Sequence, residues 1–245
     1  MRCDATATTA RNREHTLPTA GTRGEATRDP YPAASCATFR GIVFGGSAGG
    51  FEALTAALGA LPADFALPVL VVQHLHDSDR GRFSEHLGHA IPLPVVEPCD
   101  KEPIECGTVY TAPANYHMLV GRDGTISLSV DAKVNWSRPA IDVLFESAAQ
   151  AWDGKVIAVL LSGANRDGTS GMLAIREAGG MTLAQDPKTA GSPTMPQAAV
   201  EAGMVDEVLG AAEIGRRLVQ LARLDAKTGA RRRQRDEKDM RGAPK

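Results

Sequence analysis

A doubly wound α/β fold, with a mostly parallel sheet, helices on both faces and an added antiparallel hairpin, is the class this sequence predicts. Three observations point to it. Between residues 39 and 225, short β-rich apolar runs alternate with stretches of helical period, the pattern of parallel strands joined by helical crossovers. The 245-residue chain is 43% hydrophobic and 23% charged, with a net charge of −2, an ordinary globular balance. Glycine-rich polar segments follow directly on several apolar runs, where open α/β sheets hold their ligands.

Taken in order, the first strand is Gly41–Phe44, followed by the Gly-rich segment 45–50 and a helix over Gly50–Gly59. The apolar run Val69–Gln73 is the second strand, and Arg80–His89 has helical period. Leu93–Val96 and Thr108–Ala112 are short strands. His117–Val120 and Thr125–Val130 flank Arg122-Asp123-Gly124, a turn signal for an antiparallel hairpin added to the sheet. Ala140–Trp152 is a helix, and Val156–Leu161 is the most strongly apolar strand. Ser170–Ala178, Pro196–Ala202 and Ala212–Leu224 are helices, interleaved with the strands Met181–Gln185 and Val205–Leu209.

Outside this domain of residues 39–225, composition changes. Residues 1–38 offer Leu17 and Tyr31 as their bulky hydrophobes beyond Met1, too little apolar surface to offset ordering entropy, so a disordered tail is expected. Residues 226–245 hold eight Lys or Arg against three Asp or Glu and read as a basic, solvated tail. The near-neutral charge argues against a nucleic-acid module. No apolar run approaches the roughly 18–20 residues that span a bilayer, and no secretory h-region is visible, so cytoplasmic residence without membrane insertion is expected. Cys3, Cys36, Cys99 and Cys106 are neither dense nor set as CxxC pairs, which argues against a disulfide scaffold or a zinc site.

Candidate chemistry sits where predicted strands end. Gly45-Gly46-Ser47-Ala48-Gly49-Gly50 follows the first strand. A dinucleotide fingerprint would need glycine where Ser47 stands and an acid where Gln73 ends the second strand. The residues do fit G-x-S-x-G, a strand-to-helix turn that presents a serine beside helix N–H groups. Ser47 is therefore a candidate nucleophile, with a helix cap or phosphate contact as the plainer alternative. A serine nucleophile needs a base near neutral pKa. His15 lies in the tail, and His86 and His89 on a helix, so His74 at the end of the second strand is best placed, with His76 and His117 as the other candidates. Asp167, in Ser162-Gly163-Ala164-Asn165-Arg166-Asp167-Gly168 after the strongest strand, lies at the same edge and can orient that base or cap the next helix. The order Ser, His, Asp differs from the Ser, Asp, His of α/β-hydrolases.

These blocks together resemble the catalytic domain of the CheB family, the chemotaxis protein-glutamate methylesterases. The resemblance rests on GGSAGG at 45–50, VVQHL at 71–75, VYTAPANYHM at 109–118, RPAIDVLFESAA at 138–149, LLSGANRDGTSGM at 160–172 and AQDPKTAGSPTMPQAAV at 184–200. It implies Ser47 as nucleophile, His74 as general base and Asp167 as the carboxylate that orients it. It also implies hydrolysis of γ-glutamyl methyl esters on the cytoplasmic helices of methylated chemoreceptors, with release of methanol, and glutamine deamidation in some members. No metal or organic cofactor is implied, and a receptor methyltransferase or a response regulator are the further partners expected. Because the ester protrudes from a helix, an open groove is expected, with Tyr116 and Met118 as lining candidates against a core role for each. Family members often carry threonine after the nucleophile and methionine three residues before the aspartate, where this chain has Ala48 and Ala164. Only 38 residues precede the domain, fewer than the roughly 120 of a receiver domain, so a stand-alone enzyme is expected. The alternative is a catalytically weak docking module on a receptor array or a methyltransferase.

Overall fold

The computed structural model describes residues 39–224; the tails expected over 1–38 and 226–245 lie outside the described residues. In chain order the elements are β1 (Gly41–Gly46), α1 (Gly50–Leu58), β2 (Val69–Gln73), α2 (Arg82–Ala90), β3 (Val95–Val96), β4 (Val109–Thr111), β5 (His117–Val120), β6 (Ile126–Ser129), α3 (Ile141–Ala151), β7 (Val156–Leu160), α4 (Thr169–Glu177), β8 (Met181–Gln185), α5 (Thr194–Glu201) and β9 (Glu207–Leu209). Residues 211–224 form a further helix, α6. The main sheet has seven strands in the order β3-β4-β2-β1-β7-β8-β9, and every pairing in it is parallel.

The central strands are buried on both faces, which is why they read as unbroken apolar runs. Alternate side chains sort to opposite sides. Ile42, Phe44, Val69, Val71, Ile157 and Val159 share one core with Leu54 and Leu58 of α1, Leu87 of α2 and Leu218 of α6. Val43, Leu70, Val72, Ala158 and Leu160 share the other with Leu144 and Phe145 of α3, Met172 of α4 and Met195 of α5. Among the described residues, no helix is long and apolar enough to cross a membrane.

The hairpin forms as the Asp-Gly turn predicts, but as a separate two-stranded ribbon, β5-β6, and not as an extension of the main sheet. The reason is topological. Both edges of β4 are taken, by β3 and β2, so the chain leaving β4 cannot turn back and pair with it. Its apolar residues Met118, Val120 and Ile126 are buried instead in the core on the α3 side, and the Val120 N–H donates to Ser147 Oγ of α3 at 3.0 Å. Helix α5 starts two residues before the predicted Pro196, at Thr194, a placement that leaves proline in the first turn where no N–H is needed.

Register positions the site. Gly46 lies opposite Gln73, and Gly45 lies opposite Val72 on one side and Leu160 on the other. The carboxyl ends of β1, β2 and β7 are therefore level, and the loops after them meet at one edge.

Candidate active site

Ser47 follows β1 directly. Its N–H donates to Ser162 O at 2.9 Å and its carbonyl accepts from Gly50 N–H at 2.8 Å and from Gln73 Nε2 at 2.7 Å. The turn into α1 is made by Gly49, the N-cap residue, at φ 72° and ψ 9°, a left-handed conformation that glycine adopts without steric penalty. A Cβ at Gly49 would stand 2.7 Å from Ser162 Oγ, so the turn excludes a side chain on both counts. Ser47 is partly exposed, and Ala48 and Gly49 are exposed. The serine thus stands at the rim, at the positive end of the α1 dipole. Gly49 also borders a cleft of about 470 Å³ lined by Glu52, Ala53, Gln185, Thr189 and Gly191.

His74 follows β2, its N–H bonded to Gly46 O at 3.0 Å, which fixes the start of its loop against the Ser47 turn. Its ring meets Asp167: Nε2 lies 2.8 Å from Asp167 Oδ2, with the His74 side chain 13% exposed and that of Asp167 fully buried. An ionised carboxylate only accepts, so Nε2 carries the proton and Nδ1 is the free ring nitrogen.

Asp167 is the most heavily bonded side chain of the edge. Oδ2 also accepts the Ile141 N–H at 2.8 Å. Oδ1 accepts Asn135 Nδ2 at 2.9 Å, the Gly168 N–H at 3.0 Å and the Asp142 N–H at 3.2 Å. Burial pushes this carboxyl up, but the bonds from His74, the Ile141 N–H and Asn135, with the charge of His74, outweigh it and hold the pKa below the usual aspartate value. Asp167 is thus a cap, as the plainer reading of the sequence allows, but of α3 across the fold. The N-cap of the next helix, α4, is Gly168.

Sequence reasoning passed over several residues that build this edge. Asn135 Nδ2 bridges two carboxylates, Asp167 and, at 2.7 Å, Asp142 Oδ2. Asp142 also accepts the Gly171 N–H at 2.7 Å. Burial pushes the Asp142 carboxyl up despite the bonds from Gly171 and Asn135, and the charge of Asp167 adds to the rise. Ser162 Oγ donates to Ala48 O at 2.7 Å and accepts the Ser192 N–H at 2.8 Å, tying the Ser47 loop to the loop before α5. Gln185, the last residue of β8, accepts the Ser162 N–H at 2.9 Å. The glutamines that end β2 and β8, and Ser162 directly after the run Val156–Leu161, were findable by the strand-end rule that found His74; Asn135 carries no such signal.

The remaining candidates fall away from the chemistry. His76 is exposed and bonds Ser78. His86 and His89 are exposed on α2, and His15 lies outside the described residues. His117 is buried, with Nε2 on Ala132 O at 3.0 Å and Nδ1 accepting the Ala140 N–H at 3.2 Å, which makes it a structural tie. Met118 is fully buried in the core and does not line a groove, whereas Tyr116 is 41% exposed.

Comparisons with known proteins agree on one family. The model for the CheB methylesterase family matches residues 42–218. A putative protein-glutamate methylesterase/protein-glutamine glutaminase of Leptospira interrogans is 42% identical over 183 residues, 75% of this chain and 95% of the relative. A protein-glutamate methylesterase/protein-glutamine glutaminase of Anaeromyxobacter dehalogenans is 41% identical over 196 residues, covering 80% of this chain and 57% of that protein, so the chain spans little more than half of it. The crystal structure of the Thermotoga maritima CheB methylesterase catalytic domain superposes with a TM-score of 0.72 at 33% identity, over 75% of this chain and 98% of that one.

Proposed function

The chain belongs to the CheB methylesterase family, and from that premise we propose that it is a cytoplasmic serine hydrolase that demethylates γ-glutamyl methyl esters on chemoreceptor helices. Ser47 is the nucleophile, His74 the general base and Asp167 its orienting carboxylate. The observation that carries the reading is the 2.8 Å bond from His74 Nε2 to a buried, ionised Asp167 beside the partly exposed Ser47. The loops that carry the three residues follow β1, β2 and β7, whose carboxyl ends are level, and the His74 N–H on Gly46 O ties two of them together.

In the reaction, Ser47 Oγ attacks the ester carbonyl while His74 Nδ1 takes its proton. Asp167 holds Nε2–H and stabilises the imidazolium without itself taking a proton. The roles of the two ring nitrogens are the reverse of those in the Ser-His-Asp template, where Nδ1 faces the aspartate and Nε2 the serine; the chemistry requires only that one nitrogen face each partner. The tetrahedral oxyanion forms at the N-terminal end of α1, where free N–H groups and the helix dipole favour negative charge. His74 then protonates the departing methoxide, and water repeats the cycle on the acyl-enzyme to release glutamate. The same groups suit hydrolysis of a glutamine side chain, with ammonia leaving in place of methanol. The carbonyl of Ala48 is held by Ser162, and the side chains of Ala48 and Ala164 are exposed at the rim. Their replacement of bulkier family residues bears on substrate preference and leaves the reaction type unchanged.

The test is release of radiolabelled methanol from a methylated receptor by the full chain. Turnover that vanishes in Ser47→Ala supports the reading, and no turnover by the parent chain refutes it.

A further inference from the structure

Between β6 and α3 the chain makes a tight reversal. The Val134 N–H donates to Ser137 O at 3.1 Å and the Ser137 N–H to Val134 O at 2.9 Å, with Asn135 and Trp136 between them at φ 50° and 63°. Positive φ at both tip residues is the pattern of a type I′ turn, which favours asparagine first and glycine second. A tryptophan holds the glycine position. A bulky residue in left-handed backbone is disfavoured, and the protein interior offers Trp136 no compensation: it is 92% exposed, and its indole has no hydrogen-bond or ring partner among the described residues. Strain of this kind, kept at an edge that carries chemistry, is an observation from which function is inferred.

The turn is anchored to the candidate site. Asn135, one peptide unit before Trp136, bonds both Asp167 and Asp142. The segment around it is tied down by His117, which holds Ala132 O and the Ala140 N–H, and by Arg138 Nη1, which donates to Val130 O at 2.7 Å and Asp131 O at 2.9 Å. Trp136 is thus held out from the rim by a fixed strap that also exposes Val130 (67%) and Val134 (37%). Exposed cations stand on the strap at Lys133 and beside Asp167 at Arg166; the strap's acid, Asp131, lies at its β6 end, where it accepts from Ser129 Oγ.

We propose that Trp136 is a docking anchor for the substrate helix, that is, for a helical protein segment carrying the glutamyl ester among free carboxylates. The proposal rests on the methylesterase reading above and extends it to how the substrate is held. Two features select this occupant. Every turnover leaves a carboxylate on the helix, which Lys133 and Arg166 complement. Exposed aromatic anchors next to apolar neighbours give a protein surface contact area at little entropic cost, whereas an ester with one small acyl group reaches Ser47 without meeting the strap.

Trp136→Gly is the informative variant because it keeps the turn and removes the indole. Its kcat/KM on a radiolabelled methylated receptor cytoplasmic fragment is expected to fall about tenfold, chiefly through KM. Its kcat/KM on p-nitrophenyl acetate is expected to stay unchanged and its melting temperature not to fall, while Trp136→Tyr restores most receptor turnover. Unaltered receptor turnover in Trp136→Gly, or equal losses on both esters, overturns the proposal. Binding is read separately from chemistry, since the chain has two tryptophans and Trp152 is buried, so acrylamide quenching reports Trp136. Receptor fragment is expected to shield it. Quenching that saturating receptor leaves unchanged overturns the anchor even if the ester is hydrolysed. Shielding that grows with the chain's own concentration, without receptor, overturns it in favour of a second copy. A chain whose Trp136 is shielded by receptor but which hydrolyses neither ester supports the anchor and refutes the methylesterase reading.

Discussion

Asp167 shows how one side chain sets the chemistry of its neighbours. Each of its oxygens accepts from more than one donor, and the pair of bonds on Oδ2, from His74 and the Ile141 N–H, joins the proposed general base to the start of α3. Ser47→Ala is expected to abolish ester hydrolysis, with a loss on the order of 10³-fold or more, and to leave the fold intact. His74→Ala should cost about as much, and the double variant little more than either, because the residues act as one unit; methanol release from the three proteins checks this, and additive losses would count against a shared step. Asp167→Asn should lower turnover by about 10⁴-fold, since an amide facing His74 selects the wrong tautomer. From sequence alone that substitution looks structurally neutral, because asparagine caps helices as well as aspartate does. The bonds show otherwise: an amide group has a single acceptor oxygen, so turning its NH2 toward Oδ2's partners leaves the buried Ile141 N–H orphaned, at about 1–3 kcal/mol. A lower melting temperature together with lost turnover is expected, and a variant as stable and active as the parent would remove Asp167 from the mechanism.

Elements place these residues through strand ends and turns, and the turn after β1 is the least tolerant of change. Gly49→Ala combines a left-handed φ of 72° with a Cβ 2.7 Å from Ser162 Oγ. It should destabilise the protein by about 1–3 kcal/mol and reduce turnover by shifting Ser47, which urea titration and methanol release measure; unaltered stability would show that Ser162 moves aside. The central strands β1, β2, β7 and β8 were legible because burial on both faces leaves continuous apolar runs, and their ends led to Ser47, His74 and Asp167. Edge elements were read too long. Of the predicted Leu93–Val96 and Val205–Leu209, pairing retains Val95–Val96 and Glu207–Leu209, because apolar content does not reveal where a single-sided ladder stops. The hairpin's separation was hidden because it depends on β3 having already occupied an edge of β4, a fact of strand order and not of local pattern. Asn135 escaped for the same kind of reason: its bond to Asp167 joins residues 32 apart, and no spacing within the turn announces it.

At the scale of the whole molecule, the carboxylates around α3 give stability a pH dependence with two opposed parts. Asp167 has a folded pKa below its ordinary value, so its contribution is fully present above the unfolded value of about 3.9 and is lost as pH falls through the folded one. Asp142 is raised, first by burial, so the folded state binds its proton more readily than the unfolded chain does. By linkage, stability then rises as pH falls through the folded value toward the unfolded one, and the full penalty of burial is present above the folded value. Glu146 is shifted the same way, but it is exposed on α3 and solvent screens it. Acidification from neutrality therefore relieves Asp142 before it removes the support of Asp167. Unfolding free energies from urea titration at pH values between about 7 and 3 should reveal this as a difference between the parent and Asp142→Asn, which removes one titrating group and leaves the other carboxylates in place. The gain on moving from neutral to mildly acid pH should be smaller in the variant, while the loss at the acid end, where Asp167 protonates, should persist in both. Parallel curves for the two proteins across the whole range would mean that Asp142 binds protons equally well folded and unfolded, and that Asn135, bonded to both carboxylates, already neutralises the effect of burying them side by side.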